Sequence, residues 1–239
     1  MIKKALFSLL IATCSLGAFA QANSKYEVKV GNFKDLKISD HINVVYNCNP
    51  DSSGMARFET TPALADQITF SNNDKGKLTI QLATELTPQM QLPTIYVYSD
   101  FLQSVDNTSD STVRVLSIAP APNIKLTLSD NGKIIARNLN ATTVEARIIT
   151  GKGIIIVDGK CTTATLKNMG TGEIQADKLV STNANCQIIG TGSIGCNASN
   201  KITIKGTGTG KVYYVGDPKE IKTFQLGSIK AIPLDNNAK

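Results

Sequence analysis

Tryptophan is absent, histidine occurs once, at His41, and aromatic residues make up 5% of the chain. A lone imidazole leaves a Ser-His-Asp or Cys-His arrangement one place to stand, in Ser39-Asp40-His41-Ile42, which reads as a polar turn at a strand entry. The five cysteines include no C-x-x-C pair, so the tight Cys/His spacing of a zinc site is missing. No metal and no cofactor is expected. Amphipathic helical periodicity of any length is also missing, and after the first twenty residues no apolar run is long enough to cross a bilayer. What remains is 41% hydrophobic and 18% charged, a composition too apolar for disorder and ordinary for a folded all-β chain of 239 residues.

The N-terminus is the exception to this evenness. Lys3 and Lys4 precede an apolar stretch from Ala5 to Ala12, and Ala18-Phe19-Ala20 is a small-x-small cleavage signal before Gln21. Residues 1–20 are therefore expected to be a signal peptide, which places the mature protein in the periplasm or on the outer cell surface. Lipidation at Cys14 would require a better lipobox than the preceding Thr13 provides. Loss of Lys3 and Lys4 leaves 23 basic against 19 acidic side chains, a formal charge of +4 spread along the chain. That is not the clustered footprint of a nucleic-acid binder. Cys48, Cys161, Cys186 and Cys196 survive cleavage. Disulfides are permitted outside the cell, but their pairing cannot be read from the sequence.

From residue 107 onward the chain repeats itself. Gly151-Lys152-Gly153, Gly170-Thr171-Gly172, Gly190-Thr191-Gly192 and Gly208-Thr209-Gly210 each open a short strand, and Asp130-Asn131-Gly132 and Asp110-Ser111 are looser copies. Measured at residues 111, 132, 153, 172, 192 and 210, the intervals are 21, 21, 19, 20 and 18. Two residues beyond each mark stands Val113, Ile134, Ile155, Ile174, Ile194 or Val212. Two further stands Val115, Ala136, Val157, Ala176, Cys196 or Tyr214. A coil of this length cannot bury its apolar residues alone, but stacked coils can. Equivalent residues then lie above one another about 4.8 Å apart. The sequence thus predicts an all-β fold, a solenoid of parallel-stacked coils of about 20 residues. In Gly190-Thr191-Gly192-Ser193-Ile194-Gly195 the glycines match a dinucleotide loop, but that loop needs a helix after it and a strand follows here.

Upstream, residues 21–32 form a lead-in with one strand signal at Tyr26–Val30. Alternation from Phe33 to Cys48, at Met55–Thr60, Ile68–Phe70, Leu78–Leu82 and Ile95–Tyr98 predicts further strands. Asn49 to Gly54 and Asn72 to Gly76 read as turns, and Ala83 to Pro93 as a loop. Thr61–Gln67 is the one candidate helical turn, with Thr61 as cap and Pro62 in the first position. Residues 33–230 are expected to form a single solenoid, most regular over 107–216, followed by a frayed tail at 231–239.

Acids within the repeats are scattered. Asp158 and Asp177, 19 residues apart, would stack on one outer corner, with Lys160 and Lys178 near enough to offset their like charge. Tyr213 lies on the outward phase beside inward Tyr214 and offers a ring for stacking on a sugar. Asp158, Asp177 and Tyr213 are the candidate surface-binding residues; no catalytic set is expected.

Alternating strands after Phe33, the segments Gly76-Lys77-Leu78-Thr79-Ile80 and Pro93-Thr94-Ile95-Tyr96-Val97, and the repeated Gly-Thr-Gly coils resemble the auto-transporter adhesin, head GIN domain family of Bacteroidota-type bacteria. The resemblance spans about Phe33 to Val215. It implies a right-handed parallel β-helix-like fold, export, and no catalytic residues to carry over. A β-barrel translocator region of the kind true autotransporters carry is not seen here. The expected function is a non-catalytic envelope solenoid presenting flat polar faces to a protein or glycan partner. The alternatives are a structural or assembly component of the envelope, or a polysaccharide-acting β-helix enzyme.

Overall fold

The computed structural model describes residues 23–84 and 91–234. The expected signal peptide, residues 1–20, and most of the expected Ala83–Pro93 loop lie outside the described residues. The N-terminal part contains β1 (Ser24–Lys29), β2 (Asp35–Ile38), β3 (Val44–Cys48), β4 (Met55–Thr60), β5 (Ile68–Asn72), β6 (Lys77–Leu82) and β7 (Ile95–Ser99). One helical turn, α1 (Pro62–Ala65), separates β4 from β5. Thr61 stands at its N-cap position, but its side chain makes no capping bond; the backbone N–H groups of Leu64 and Ala65 instead donate to its carbonyl. The repeats follow as β8 (Ser104–Asn107), β9 (Thr112–Ser117), β10 (Ala121–Ser129), β11 (Lys133–Thr150), β12 (Ile154–Asn168), β13 (Glu173–Gly190), β14 (Ser193–Gly208), β15 (Lys211–Val215), β16 (Glu220–Gly227) and β17 (Lys230–Pro233).

Each rung has two main sides joined by a glycine corner. On the first side the neighbours run β6, β2, β8, β10, then the second halves of β11, β12, β13 and β14, and finally β16. On the second side they run β7, β3, β9, the first halves of β11 to β14, β15 and β17. All of these pairings are parallel. Strands β11 to β14 are long because each bends from the second side of one rung onto the first side of the next. The bend forms a short third side, where Leu139, Gly159 and Leu179 stack.

The register agrees with the repeat. Val113, Ile134, Ile155, Ile174, Ile194 and Val212 are successive partners, and all are buried. The next inward column is buried as well, except Tyr214, which is partly covered by the core. Val157 and Ala176 are not register partners, because the ladder shifts between Ile156 and Asp158. Cys186 and Cys196 face the core as thiols. A hydrogen bond with Cys196 and burial push the Cys186 thiol pKa far up, so it is a small apolar filler rather than a nucleophile.

The N-terminal end departs from simple coiling. The β2–β3 rung lies between the later β6–β7 rung and β8–β9, so residues about 69 apart in sequence meet: Ser104 Oγ donates to Asp35 at 2.6 Å, and the Thr112 N–H to Asn43 at 2.8 Å. Outside β6–β7 the pairing turns antiparallel, β5 on β6, β4 on β7 and β1 on β4. Tyr26 stacks on Phe58 at 5.3 Å, and Phe58 meets Phe70 at 6.0 Å, closing this end of the core. At the other end, β17 continues pairing through Pro233, into residues expected to be frayed. Among the described residues, no helix is long and apolar enough to cross a membrane.

Candidate binding groove at the glycine corner

The corners that turn the first side into the second need their glycines. A Cβ on Gly172 would come within 2.1 Å of the Gly153 carbonyl of the rung below. That closeness lets backbone bond directly to backbone across the corner: the N–H groups of Glu173, Ser193 and Lys211 donate to the carbonyls of Gly153, Gly172 and Gly192 at 3.0, 3.1 and 3.2 Å. The corner therefore recedes, and the side chains beside it stand proud.

A solvent-open groove of about 380 Å³ lies along this edge. Ile154, Glu173, Ser193 and Lys211, successive partners in the ladder, form one wall. Lys152, Thr171 and Thr191, the middle residues of three Gly-x-Gly turns, form the other, and Tyr213 closes it. Tyr213 is opposite Gly195, so no side chain on the adjacent rung crowds its ring from that position. Two ammonium groups, a carboxylate, several hydroxyls and one aromatic ring thus line a rigid trench. Its volume is at the lower end of small-ligand sites, about 300–1,000 Å³. The groove can hold a polar ligand by stacking and hydrogen bonds.

Of the residues singled out in the sequence, Tyr213 is in this groove; Asp158 and Asp177 are not among its lining residues. Nor do the two aspartates stack. The register shift after Ile156 sets Asp158 opposite Lys178 instead of Asp177. Asp158 accepts the Asn138 N–H at 2.6 Å and meets Arg137 at 3.4 Å. Asn138 has φ 56°, so Asp158 holds a knuckle in the left-handed region and is a structural carboxylate. Asp177 lies beside Gly195, and its backbone carbonyl accepts from Asn197 Nδ2 at 3.1 Å. Sequence reasoning missed Lys152, Thr171, Glu173, Thr191, Ser193 and Lys211. Their signal was available, since the x of each Gly-x-Gly and the residue after its second glycine recur with the repeat.

His41 lies far along the stack, in the turn after β2. Its Nδ1 is 2.5 Å from Asp110 Oδ1, and both side chains are largely exposed. The hydrogen bond to Asp110, and then its charge, raise the imidazole pKa above the usual value. The protonated form is favoured relative to a free imidazole. Because the folded pKa is the higher one, the pair stabilises the fold below about pH 6.5 and loses that contribution as pH rises through the folded value. His41→Ala is expected to lower stability at pH 6 by under about 1 kcal/mol, the scale of an exposed ion pair, and by less at pH 9. Paired urea melts at the two pH values check this; a larger deficit at pH 9 would refute it. Among the described residues no group of three or more His, Cys, Asp or Glu side chains is arranged to hold a metal.

The family model described as "Putative auto-transporter adhesin, head GIN domain" matches residues 32–218. The chain belongs to this family. Solved structures that match include three with a similar fold. A putative adhesin from Bacteroides fragilis NCTC 9343 has TM-score 0.82 at 18% identity, covering 90% of this chain and 98% of that one. A putative lipid binding protein from Parabacteroides distasonis ATCC 8503 has TM-score 0.72 at 17% identity, with the same coverages. A putative adhesin from Parabacteroides merdae ATCC 43184 has TM-score 0.67 at 15% identity, again covering 90% and 98%. No functionally curated protein matches the sequence.

Proposed function

We propose that this head GIN protein is an exported, non-catalytic envelope binding module, resident in the periplasm or on the outer surface, that takes a glycan in the corner groove at Tyr213. The observation that carries the reading is the lining of that groove: one aromatic ring beside Thr171, Thr191 and Ser193 hydroxyls, Glu173, Lys152 and Lys211. Sugars are held by this combination, apolar ring faces on an aromatic plane and hydroxyls on alternating donors and acceptors. The rungs repeat every ~4.8 Å, so a chain of sugars laid along the edge would meet similar groups at each step. The adhesin names of two structural relatives are consistent with a binding role. A hydrolase or lyase would need two groups of opposed protonation preference converging on one atom. Asp158 is instead engaged by Arg137 and Asn138.

The test is retention on an array of host and microbial glycans. Tyr213→Ala is expected to weaken retention about tenfold, the worth of one stacked ring, while Tyr96→Ala on the distant β7 leaves it unchanged. Equal retention by both variants would remove the groove from consideration. Appearance of new reducing ends or unsaturated uronates on those glycans, abolished by Asp158→Asn or Asp177→Asn, would overturn the non-catalytic reading.

A further inference from the structure

The two ends of the solenoid are finished differently. At the β6–β7 end the inward residues Leu78, Ile80, Ile95 and Val97 are fully buried under the antiparallel strands and their aromatic cluster. The outermost strand there, β1, carries Lys25, Glu27 and Lys29, and charged edges resist pairing. At the β16–β17 end no such cap is present among the described residues, although Glu220, Lys222 and Lys230 charge the edge strands. β16 pairs only with β14, and β17 only with β15. Ile221 continues the core column of Ile124, Val144, Ala164, Ala184 and Ile202, yet it is 39% exposed because no rung covers it. Thr223 and Ala231, also on the inward phase, are exposed as well. On the outward phase of the same strand Phe224 and Leu226 are 58% and 77% exposed, and with Ile189 and Thr207 they line an apolar depression.

We propose that this end is a dimerisation surface whose occupant is the same end of a second copy. The exposed object is a cross-section: two parallel-sided edge strands on opposite sides of an open apolar core. A single added peptide would pair with one strand and leave the other. Another solenoid end has the matching cross-section, and the β6–β7 end is closed. A two-fold axis perpendicular to the stack lays each side over its counterpart with strand direction reversed, so β16 meets β16 and β17 meets β17 antiparallel. Pairing centred on Thr223 sets residues 220–226 of one β16 against residues 226–220 of the other. It sets Lys222 of each copy beside Phe224 of the other and Glu220 beside Leu226, with no like charges opposed. The contact closes on itself, so it yields dimers and not fibres.

Sedimentation of the exported protein over a concentration series is expected to give twice the chain mass. Phe224→Glu combined with Leu226→Glu, at exposed positions, is expected to halve that mass while the circular dichroism spectrum stays that of the parent and the melting temperature loses its dependence on concentration. A lysine-reactive crosslinker applied to mixed light and heavy-isotope protein gives a second readout that needs no variant. Intermolecular links among Lys219, Lys222 and Lys230 support the arrangement. A parent that stays monomeric throughout, a dimer unaffected by the paired substitution, or intermolecular links confined to Lys25 and Lys29 would each overturn it.

Discussion

Aspartate in place of Ile174 is expected to cost at least about 4 kcal/mol of folding free energy. Ile174 is buried between its register partners Ile155 and Ile194, near the middle of the stack. A carboxylate there is either charged without a partner or protonated at the expense of a large pKa shift, and in both cases the apolar contacts of three rungs are lost. In a solenoid the damage has a further consequence. Stability is close to a sum over rungs and their interfaces, so breaking a middle interface leaves two stacks, each with an open core end. For a chain of this size the cost corresponds to a fall of about 10 °C or more in melting temperature. Ile174→Val, which removes one methyl group, should cost only about 1 kcal/mol and serves as the control. Thermal and urea melts of the three proteins decide it. If the aspartate variant melts with the parent, Ile174 does not occupy the inward column.

That column was legible because a solenoid writes its register into the sequence. Once Ile134, Ile155, Ile174 and Ile194 recur at a fixed distance beyond a glycine corner, parallel stacking makes them neighbours, and the ladder agrees residue by residue. The order of the first rungs was not legible. Alternation at Leu36–Ile38 and Val44–Tyr46 marks strands with a buried face, but periodicity carries no information about which strand each one sits beside. The β2–β3 rung is adjacent to β8–β9 through contacts across about 69 residues, and these depend on the intervening β4–β7 segment folding back as an antiparallel cap. The same limit explains the aspartates. Counting 19 residues from Asp158 reaches Asp177 only if the ladder is unbroken. One shift in the β12–β13 ladder, between Ile156 and Asp158, moves the partner to Lys178. Tyr213 was found because an outward aromatic is conspicuous in an aromatic-poor chain. The lysines and threonines around it were passed over, since each is an ordinary surface residue until the recessed corner joins them.

Asn168 shows the converse, a residue whose side chain contradicts its column. Its register partners run Leu128, Ile148, Asn168 and Ile188, all buried, and hydropathy alone would put leucine there. The amide is nevertheless satisfied. Oδ1 accepts the Gly170 N–H at 3.0 Å, and Nδ2 donates to the carbonyls of Gly172 at 2.7 Å and Ser193 at 3.1 Å. One side chain thus fastens its own corner and the corner of the next rung. Asn107 does the same for Ser109 and Ser111, so an asparagine four residues before the second small residue of a corner is the sequence mark of this device. Asn168→Leu should fit the column by volume, yet it removes one partner from each of three backbone groups, of which the Gly172 carbonyl still accepts the Ser193 N–H. The expected cost is about 2–4 kcal/mol, read as a drop in urea midpoint at unchanged m. Because Thr171 and Gly172 belong to the groove, glycan retention should fall with it although Tyr213 is intact. Asn168→Asp keeps the acceptor but sets a buried carboxylate oxygen against the carbonyls of Gly172 and Ser193, and should therefore cost at least as much as leucine. Stability equal to the parent in the leucine variant would mean that this corner can adopt the unassisted turn its neighbours make beside Ile148 and Ile188, and that the amide does not hold the groove in shape.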